Sequence, residues 1–471
     1  MNGQYDHVLQ HVRTCSSPSE LRITDIKVCD IGAPQNTTLM RIMTNQGIEG
    51  LSQIRENGSR VYLQMLKRLL LGENPCDIDK LFRRLKQFGG HSHQGGGVSG
   101  VEVALWDLAG KAYGIPVWQM LGGKFRDKVR LYCDTDVYQT GKPQGKAMGE
   151  VMKKRIETSG YTIMKMDLTV EEILWDEPDA ICCPVGFKED GLDCWNPYRQ
   201  YYGKVLKDDK LSQEEQLALY AKRRAECAKT AVPGPLQCVH ITEHGLDVLE
   251  EYVKDVRSVL GYEVPIAMDH FGHIGTGDCI RLVNRLEKYG IAWMEDLVPW
   301  NMFDDLKEIT QKTNVPIATG EDIYLKENFA PLLEQRAVNV IHPDLFSCGG
   351  ILEAKKIGDM AQAHGIPMIL HQNETPIAAM ACMQVGIATE NFMAMEFHHH
   401  DYPWWSDLVI CKNKPIIDKG FINISYEPGL GVECWNDEML REHLHATNDQ
   451  KNIWMDTDEW DDWYAADRLW L

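Results

Sequence analysis

The sequence has little positive charge for its size. Its 471 residues include 49 Lys or Arg against 69 Asp or Glu, which gives a formal net charge of −20. Nucleic acids and anionic membranes are bound through basic surfaces, so this deficit argues against both as partners. The polar first twenty residues lack the apolar segment of a signal peptide, and no apolar run reaches the length of a membrane helix. We therefore expect a cytoplasmic enzyme.

Paired cysteine spacings are also missing. The 14 cysteines are scattered, with neither the CxxC pairs of a zinc site nor the pattern of a disulfide framework. With 44% hydrophobic residues the chain can bury a large core. Its length favours two domains, or one large domain with a cap.

The order of apolar segments changes along the chain. Residues 21–60 have the pattern of short strands and are followed by helical patterns at about 60–71 and 76–87, which is typical of an α+β unit. From residue 129 strands and helices alternate. The predicted strands are at 129–133, 162–166, 264–268, 291–294, 316–319, 337–341, 367–370 and 392–395.

Eight nearly continuous apolar strands indicate a parallel sheet buried on both faces. We predict an α/β fold, a modified TIM-type (β/α) barrel with an α+β capping domain, and expect chemistry at the carboxyl ends of the strands. A doubly wound open sheet is the alternative, but it needs a phosphate-binding loop that the sequence lacks. The predicted parts are an extension (1–20), the cap (21–128), the barrel (129–400) with an insertion at about 168–240, and a C-terminal segment (401–471) that returns to the cap and ends in an acidic, Trp-rich tail.

Three acidic residues end successive barrel strands at equal spacings of 26 residues. They are Asp269 in VPIAMDH, Glu295 in IAWMED and Glu321 in PIATGED. One strand and one crossover helix account for this spacing, so the three carboxylates should meet at one edge of the barrel. Unpaired, they would repel one another and partly take up protons. A hard divalent cation resolves this, and we predict a magnesium site.

Other strand ends carry further chemistry. Period-two alternation places Lys165 and Asp167 on one face of the second strand. The sixth strand is followed by Asp344 and the seventh by His371, which suit a dyad in which the acid orients and charges a general base. The eighth ends at Glu396.

These residues carry a family resemblance. The chain resembles the mandelate racemase branch of the enolase superfamily over about residues 21–445. The most specific segments are SGVEVALWDLAGKAYGIPVWQMLGG, the Asp/Glu/Glu triad, HPDLFSCGG and PMILHQ. The resemblance implies one Mg²⁺ per subunit that binds a substrate carboxylate, removal of the adjacent proton, and stabilisation of the resulting enediolate by the cation.

The resemblance also implies individual roles. Asp344 and His371 match the Asp–His dyad of the family, and Glu396 matches the acid that hydrogen-bonds the enediolate oxygen. Lys165 matches the first lysine of a Lys-x-Lys motif, whose second position here is Asp167. Because a second basic lysine is absent or altered, a two-base racemase is disfavoured and elimination by one base is favoured.

We therefore predict a lyase that dehydrates a sugar acid, from an aldonate to its 2-keto-3-deoxy product. A cycloisomerase or epimerase acting on a related sugar acid is the first alternative, and a catalytically weakened ligand-binding or regulatory protein is the second. Some related dehydratases carry a histidine two residues after the first metal ligand, where this chain has Phe271, and we assign that role to the neighbouring His270. A homo-oligomer is expected.

Substrate specificity is expected from the capping domain, through the loops near residues 31–39 and 52–60 and the glycine-rich segment 89–98. The predicted substrate contacts are Arg55, His91, His93, Phe271 and His398.

Overall fold

The structure is a computed structural model. It describes residues 16–95, 97–135, 144–168, 170–174, 177, 179–182, 240–269, 274–446, 448–449 and 451–462. Most of the predicted insertion at 168–240 lies outside these residues. Among the described residues, no helix is both long enough and apolar enough to cross a membrane.

The chain divides into two compact units. Unit 1 comprises Met1–Tyr132, Gly320–Glu334 and Val340–Leu471, and unit 2 comprises Cys133–Thr319 and Gln335–Asn339. This grouping by contacts does not test the predicted domain boundaries, which stay a prediction.

Unit 1 begins with an antiparallel sheet and four helices. They are β1 (Ile23–Ile31), β2 (Thr37–Thr44), β3 (Glu49–Gln53), α1 (Val61–Leu70), α2 (Ile78–Leu85), α3 (Val98–Tyr113) and α4 (Val117–Met120). Strand β2 lies between β1 and β3. The α+β character expected of this segment is therefore present.

Unit 2 holds the first part of the alternating region. Its elements, after β4 (Lys128–Cys133), are α5 (Gly145–Ser159), β5 (Met164–Asp167), α6 (Val170–Ile173), β6 (Ile181–Cys182), β7 (His240–Ile241), α7 (Glu243–Leu260), β8 (Ile266–Asp269), α8 (Thr276–Leu286), β9 (Ile291–Glu295), α9 (Phe303–Lys312) and β10 (Ile317–Thr319). The last residue of β4 pairs with β5, and β5, β8, β9 and β10 follow one another in parallel.

Unit 1 holds the remaining elements. They are α10 (Lys326–Glu334), β11 (Val340–Ile341), α11 (Leu345–Cys348), α12 (Ile351–Ala363), β12 (Met368–Leu370), α13 (Pro376–Ala388), β13 (Phe392–Phe397), β14 (Val409–Ile410), β15 (Phe421–Asn423), β16 (Cys434–Trp435) and α14 (Asp437–Glu442). Strands β11, β12 and β13 are parallel, whereas β15 is antiparallel to β4.

The eight parallel strands β4, β5 and β8–β13 form a closed barrel in which β13 pairs with β4. Each contains part of one of the eight predicted apolar runs, and the prediction of a (β/α) barrel is confirmed. The runs are apolar because barrel strands are covered on both faces.

Helix α3 is buried along almost its whole length and packs against β3. A side chain at Gly100 would meet the carbonyl oxygen of Gln53, so only glycine permits this approach. Two residues later, the buried carboxyl group of Glu102 accepts hydrogen bonds from the amides of Ile351 (2.6 Å) and Leu352 (3.0 Å) at the N-terminus of α12. Glu102 thereby satisfies two amides that the helix itself leaves without an acceptor.

Candidate active site

Acidic residues end three neighbouring strands of unit 2. Asp167, Asp269 and Glu295 are the last residues of β5, β8 and β9. In the sheet register Asp167 lies opposite Asp269, and Asp269 lies opposite Glu295. Because these strands are parallel, their carboxyl ends share one edge. Two of the predicted metal ligands are therefore adjacent, with Asp167 next in line.

A buried lysine lies between two of these carboxylates. The Nζ atom of Lys165 is 2.8 Å from Asp269 Oδ2 and 2.8 Å from Glu295 Oε1, and its side chain is only 1% exposed. Asp134 Oδ2 is 3.9 Å away, and the indole of Trp293 donates to Glu295 Oε2 at 3.0 Å. The ammonium group offsets the repulsion between the carboxylates, which burial would otherwise make costly. We call Lys165, Asp269, Glu295 and Asp134 the lysine cluster.

The donors at this edge suit a hard divalent cation. Oxygen atoms of Asp269, Glu295 and Asp296 lie within 4.8 Å of one another, and carboxylate oxygens are ligands that Mg²⁺ prefers. Asp296 was not assigned a role from sequence. Its φ of 47° is uncommon for a residue other than glycine, and such conformations concentrate at functional sites. The only sequence signal for it is its position directly after Glu295.

In unit 1 a histidine and an aspartate form the predicted pair. His371 follows β12, and its Nδ1 lies 2.8 Å from Asp344 Oδ2. The other oxygen of Asp344 accepts hydrogen bonds from the amides of Phe346 (2.6 Å) and Ser347 (2.9 Å), which begin helix α11. This N-cap fixes the carboxylate, and the carboxylate in turn fixes the ring of His371.

The third predicted metal ligand, Glu321, lies in unit 1 beside this pair. It comes two residues after β10, and its Oε2 is 3.5 Å from Nε2 of His371. Glu396 Oε2 is 3.9 Å from the same nitrogen. Burial lowers the pKa of His371, but Glu321, Asp344 and Glu396 outweigh it and raise the pKa to about 9. Burial would raise the pKa of Asp344, but Arg55 and His371 lower it on balance.

Glu396 is enclosed by histidines. His342 Nε2 is 3.3 Å from Glu396 Oε2 and 2.8 Å from the hydroxyl of Tyr132, and His398 Nε2 is 3.3 Å from Glu396 Oε1. His342 is completely buried and was not assigned a role from sequence, although it directly follows β11 in the segment HPD. We call His371, Asp344, Glu321, Glu396 and His342 the histidine cluster.

Arg55, a predicted substrate contact, is almost completely buried at 3% exposure. Its guanidinium lies 3.2 Å from Glu321 Oε1 and 3.1 Å from Asp322 Oδ1, donates to Ser347 Oγ, and reaches Glu56 Oε1 at 3.4 Å. Burial lowers the pKa of Arg55, but Glu56, Asp344 and Glu321 outweigh it, so the group is charged. The guanidinium of Arg55 is therefore already paired with carboxylate and hydroxyl oxygens of the protein.

The other predicted substrate contacts differ in setting. His91 Nδ1 accepts from the amide of Tyr324 at 3.0 Å. His93 Nδ1 donates to the carbonyl oxygen of Glu56 at 2.7 Å, and its side chain is 45% exposed. His270 and Phe271 lie outside the described residues.

Known proteins resemble this chain in sequence. Residues 12–122 match the family model for the mandelate racemase / muconate lactonizing enzyme N-terminal domain, and residues 214–438 match the enolase C-terminal domain-like family. A D-xylonate dehydratase of Haloferax volcanii is 32% identical over 420 residues, which are 88% of this chain and 87% of that protein. A D-galactonate dehydratase of Verminephrobacter eiseniae is 26% identical over 90% of this chain and 96% of its own.

Solved structures show the same fold. A mandelate racemase/muconate lactonizing enzyme-like protein from Rubrobacter xylanophilus superposes with a TM-score of 0.72 at 27% identity, covering 91% of this chain and 98% of that one. The two family matches together span most of the chain, and Asp269, Glu295, Glu321 and the pair of Asp344 and His371 fall within them. The chain therefore belongs to the mandelate racemase/muconate lactonizing enzyme family of the enolase superfamily.

Proposed function

We propose that this protein is a magnesium-dependent dehydratase of a sugar acid, which converts an aldonate to its 2-keto-3-deoxy product. The observation that carries the proposal is the buried hydrogen bond of 2.8 Å between His371 and Asp344. A histidine held by a fixed carboxylate is suited to take a proton from carbon. The relatives named D-xylonate and D-galactonate dehydratase support both the lyase class and the sugar-acid substrate.

In this proposal His371 is the general base. Asp344 accepts a hydrogen bond from Nδ1, and Nε2, once it has lost its own proton, receives the proton from C2 of the aldonate. Asp344 then stabilises the imidazolium that forms. Glu396, held between His342 and His398, is proposed to hydrogen-bond the enediolate oxygen.

The proposed metal ligands are Asp269, Glu295 and Glu321. The oxygen donors fit Mg²⁺, which when bound supplies positive charge for the substrate carboxylate and the charge that develops on it. Lys165 is proposed to add a fixed positive charge beside this carboxylate, since it already holds two acids of the cluster.

The outcome after proton removal is proposed to be elimination. Asp167 occupies the second lysine position of the family motif, so a lysine base on the opposite face is absent or altered and a two-base racemase is disfavoured. Loss of the C3 hydroxyl then requires a proton donor, which we assign to His371 or to His270. His91, His93, Arg55, Phe271 and His398 remain the proposed substrate contacts.

The test is a panel of aldonates, including D-xylonate and D-galactonate, assayed with Mg²⁺ for the release of 2-keto acids. We expect at least one aldonate to be dehydrated by the wild type, with no reaction after Mg²⁺ is removed with a chelator. NMR of the product formed in deuterated water distinguishes dehydration from epimerisation and cycloisomerisation. An epimerised or cycloisomerised product without dehydration would contradict the proposal.

The matched variants are His371→Asn and His364→Asn. His364 lies at the C-terminal end of helix α12, apart from either cluster, and is partly exposed. We expect His371→Asn to lower kcat by about 10²–10⁴-fold and His364→Asn to retain wild-type kcat. Equal activity of the two variants would contradict the role of His371.

A further inference from the structure

Two buried glutamates lie behind the pair of His371 and Asp344. Glu374 is 2% exposed and Glu56 is 4% exposed. Ligand atoms of Asp344, His371 and Glu374 all lie within 4.8 Å of one another. Glu374 is held in place through its backbone, because its carbonyl oxygen accepts hydrogen bonds from the indole of Trp405 and from Gln372, both at 3.0 Å. The backbone of Glu374 is therefore held beside the pair of His371 and Asp344.

Each glutamate has one carboxyl oxygen that finds no donor. Oε2 of Glu374 accepts from the amide of Asn373 at 3.1 Å, and Oε1 of Glu56 lies 3.4 Å from Arg55. Among the described residues, the remaining oxygens, Glu374 Oε1 and Glu56 Oε2, are buried and face no N–H donor. The side chain of Glu374 lies within hydrogen-bonding reach of the carboxyl groups of Glu56 and Asp344. A buried acceptor without a donor is costly, and two ionised carboxylates side by side repel. One proton between the two groups removes both costs, because one carboxyl becomes a donor and the other stays an acceptor.

The surrounding charges also favour one bound proton. The acidic groups Asp344, Glu321 and Asp322 and the two glutamates all lie near the guanidinium of Arg55. Arg55 and a protonated His371 together offset only two of these five negative charges. His371 lies beside Asp344, His93 lies beside Glu56, and the buried thiol of Cys382 lies near Asp344 and Glu374. Burial raises the pKa of Glu374 well above its usual range, and Asp344 and Glu56 raise it further.

We propose that Glu374 and Glu56 share one proton at neutral pH, and that neutral Glu374 is a positioning residue for the His371–Asp344 pair. An ionised Glu374 would compete with Asp344 for the Nδ1 proton of His371 and could turn the ring. A neutral Glu374 leaves Asp344 as the acceptor for His371. The shared proton is a property of the unliganded protein, whereas its value for catalysis rests on the proposed function.

Infrared difference spectroscopy tests the shared proton without substrate or metal. The carbonyl stretch of a protonated carboxyl group is separate from carboxylate bands and shifts in deuterated water. At pH 7 we expect the full-length wild type to show such a band, Glu374→Gln to remove it, and Glu56→Gln to shift or remove it. The proposal would be overturned if Glu374→Gln kept the band of the protonated carboxyl group, or if Glu56→Gln left this band unchanged. Either result would hold even if the protein dehydrates sugar acids.

Glu102 provides the control for assigning this band. Burial raises its pKa to about 8, so a second protonated carboxyl is expected at pH 7. Glu102→Gln should remove a different band and leave that of Glu374 in place. Loss of the same band in Glu102→Gln and in Glu374→Gln would contradict the assignment.

Kinetics test the positioning role. Glutamine at position 374 is neutral and keeps a donor, whereas leucine is neutral but has none. We expect kcat of Glu374→Leu to be about tenfold below that of Glu374→Gln, because a tenfold change in rate corresponds to the loss of about one hydrogen bond. KM should be similar in the two variants. Equal kcat in the two variants, or a change confined to KM, would overturn the positioning role while leaving the infrared result intact.

Discussion

The negative charge of buried carboxylates is compensated differently in the lysine cluster and in the histidine cluster. In the lysine cluster the ammonium of Lys165 lies at 2.8 Å from both Asp269 and Glu295. In the histidine cluster, the carboxylates are held by Arg55, by backbone amides and by the ring of His371. The lysine cluster depends on one buried lysine, whereas the carboxylates of the histidine cluster are held by several donors. This difference suits a cation site in the lysine cluster and a rigidly held base in the histidine cluster.

The largest effect is expected from removing the charge that fixes the base. Asp344 accepts from three donors through two oxygens, whereas asparagine offers one oxygen. In Asp344→Asn the orientation or the tautomer of His371 should change, and we expect kcat to fall by about 10²–10⁴-fold. Steady-state kinetics on the best aldonate measure this. Asp359→Asn, on the exposed face of helix α12, is the control, and a similar loss in both variants would contradict the account.

Removing the cation of either cluster should cost stability. A buried ion pair that loses one partner is destabilised by about 3–5 kcal/mol, and we expect this of Lys165→Met and of Arg55→Met without metal. Chemical denaturation measures both free energies of unfolding.

Mg²⁺ then distinguishes the two clusters. A ligand that binds only the folded state stabilises it. We expect Mg²⁺ to restore a larger share of the lost Tm in Lys165→Met than in Arg55→Met, because Arg55 also holds Glu56 and Asp322, which are not among the proposed ligands. If Mg²⁺ restored an equal share of the lost Tm in both variants, the lysine cluster and the histidine cluster would not differ in their dependence on the metal.

The smallest effect concerns the support of Arg55. Its guanidinium donates to the hydroxyl of Ser347, and the loss of one such hydrogen bond costs about 0.5–1.5 kcal/mol. Ser347→Ala should lower the free energy of unfolding by this amount, whereas Ser258→Ala, on an exposed helix face, should not change it. A loss as large as that of Arg55→Met would mean that Ser347 alone fixes the arginine.

The sequence predicted the barrel well because its signals are local. Apolar runs of strand length recur along the chain, three of them are followed by acids at a fixed spacing, and each run overlaps a strand of the barrel. The proximity of His371 and Asp344 could be predicted for the same reason, since neighbouring parallel strands bring their carboxyl ends together.

Contacts that join distant segments were not predictable. The neutralisation of Glu321 by Arg55 joins residues 266 positions apart, and nothing near Arg55 in the chain indicates it. Glu374 and His342 were not assigned roles because their importance depends on burial beside other charges, which a single sequence does not show. Asp296 was not assigned a role because the metal site was attributed to its neighbour Glu295. The feature that sets Asp296 apart is its positive φ, which the sequence does not show.

The central claim, that His371 removes the C2 proton of a sugar acid, is tested most directly with an aldonate deuterated at C2. With Mg²⁺ present, we predict that the wild type releases the deuterium and forms the 2-keto-3-deoxy product, whereas His371→Asn leaves the label at C2. Release of the label at equal rates by the wild type and His371→Asn would contradict the account.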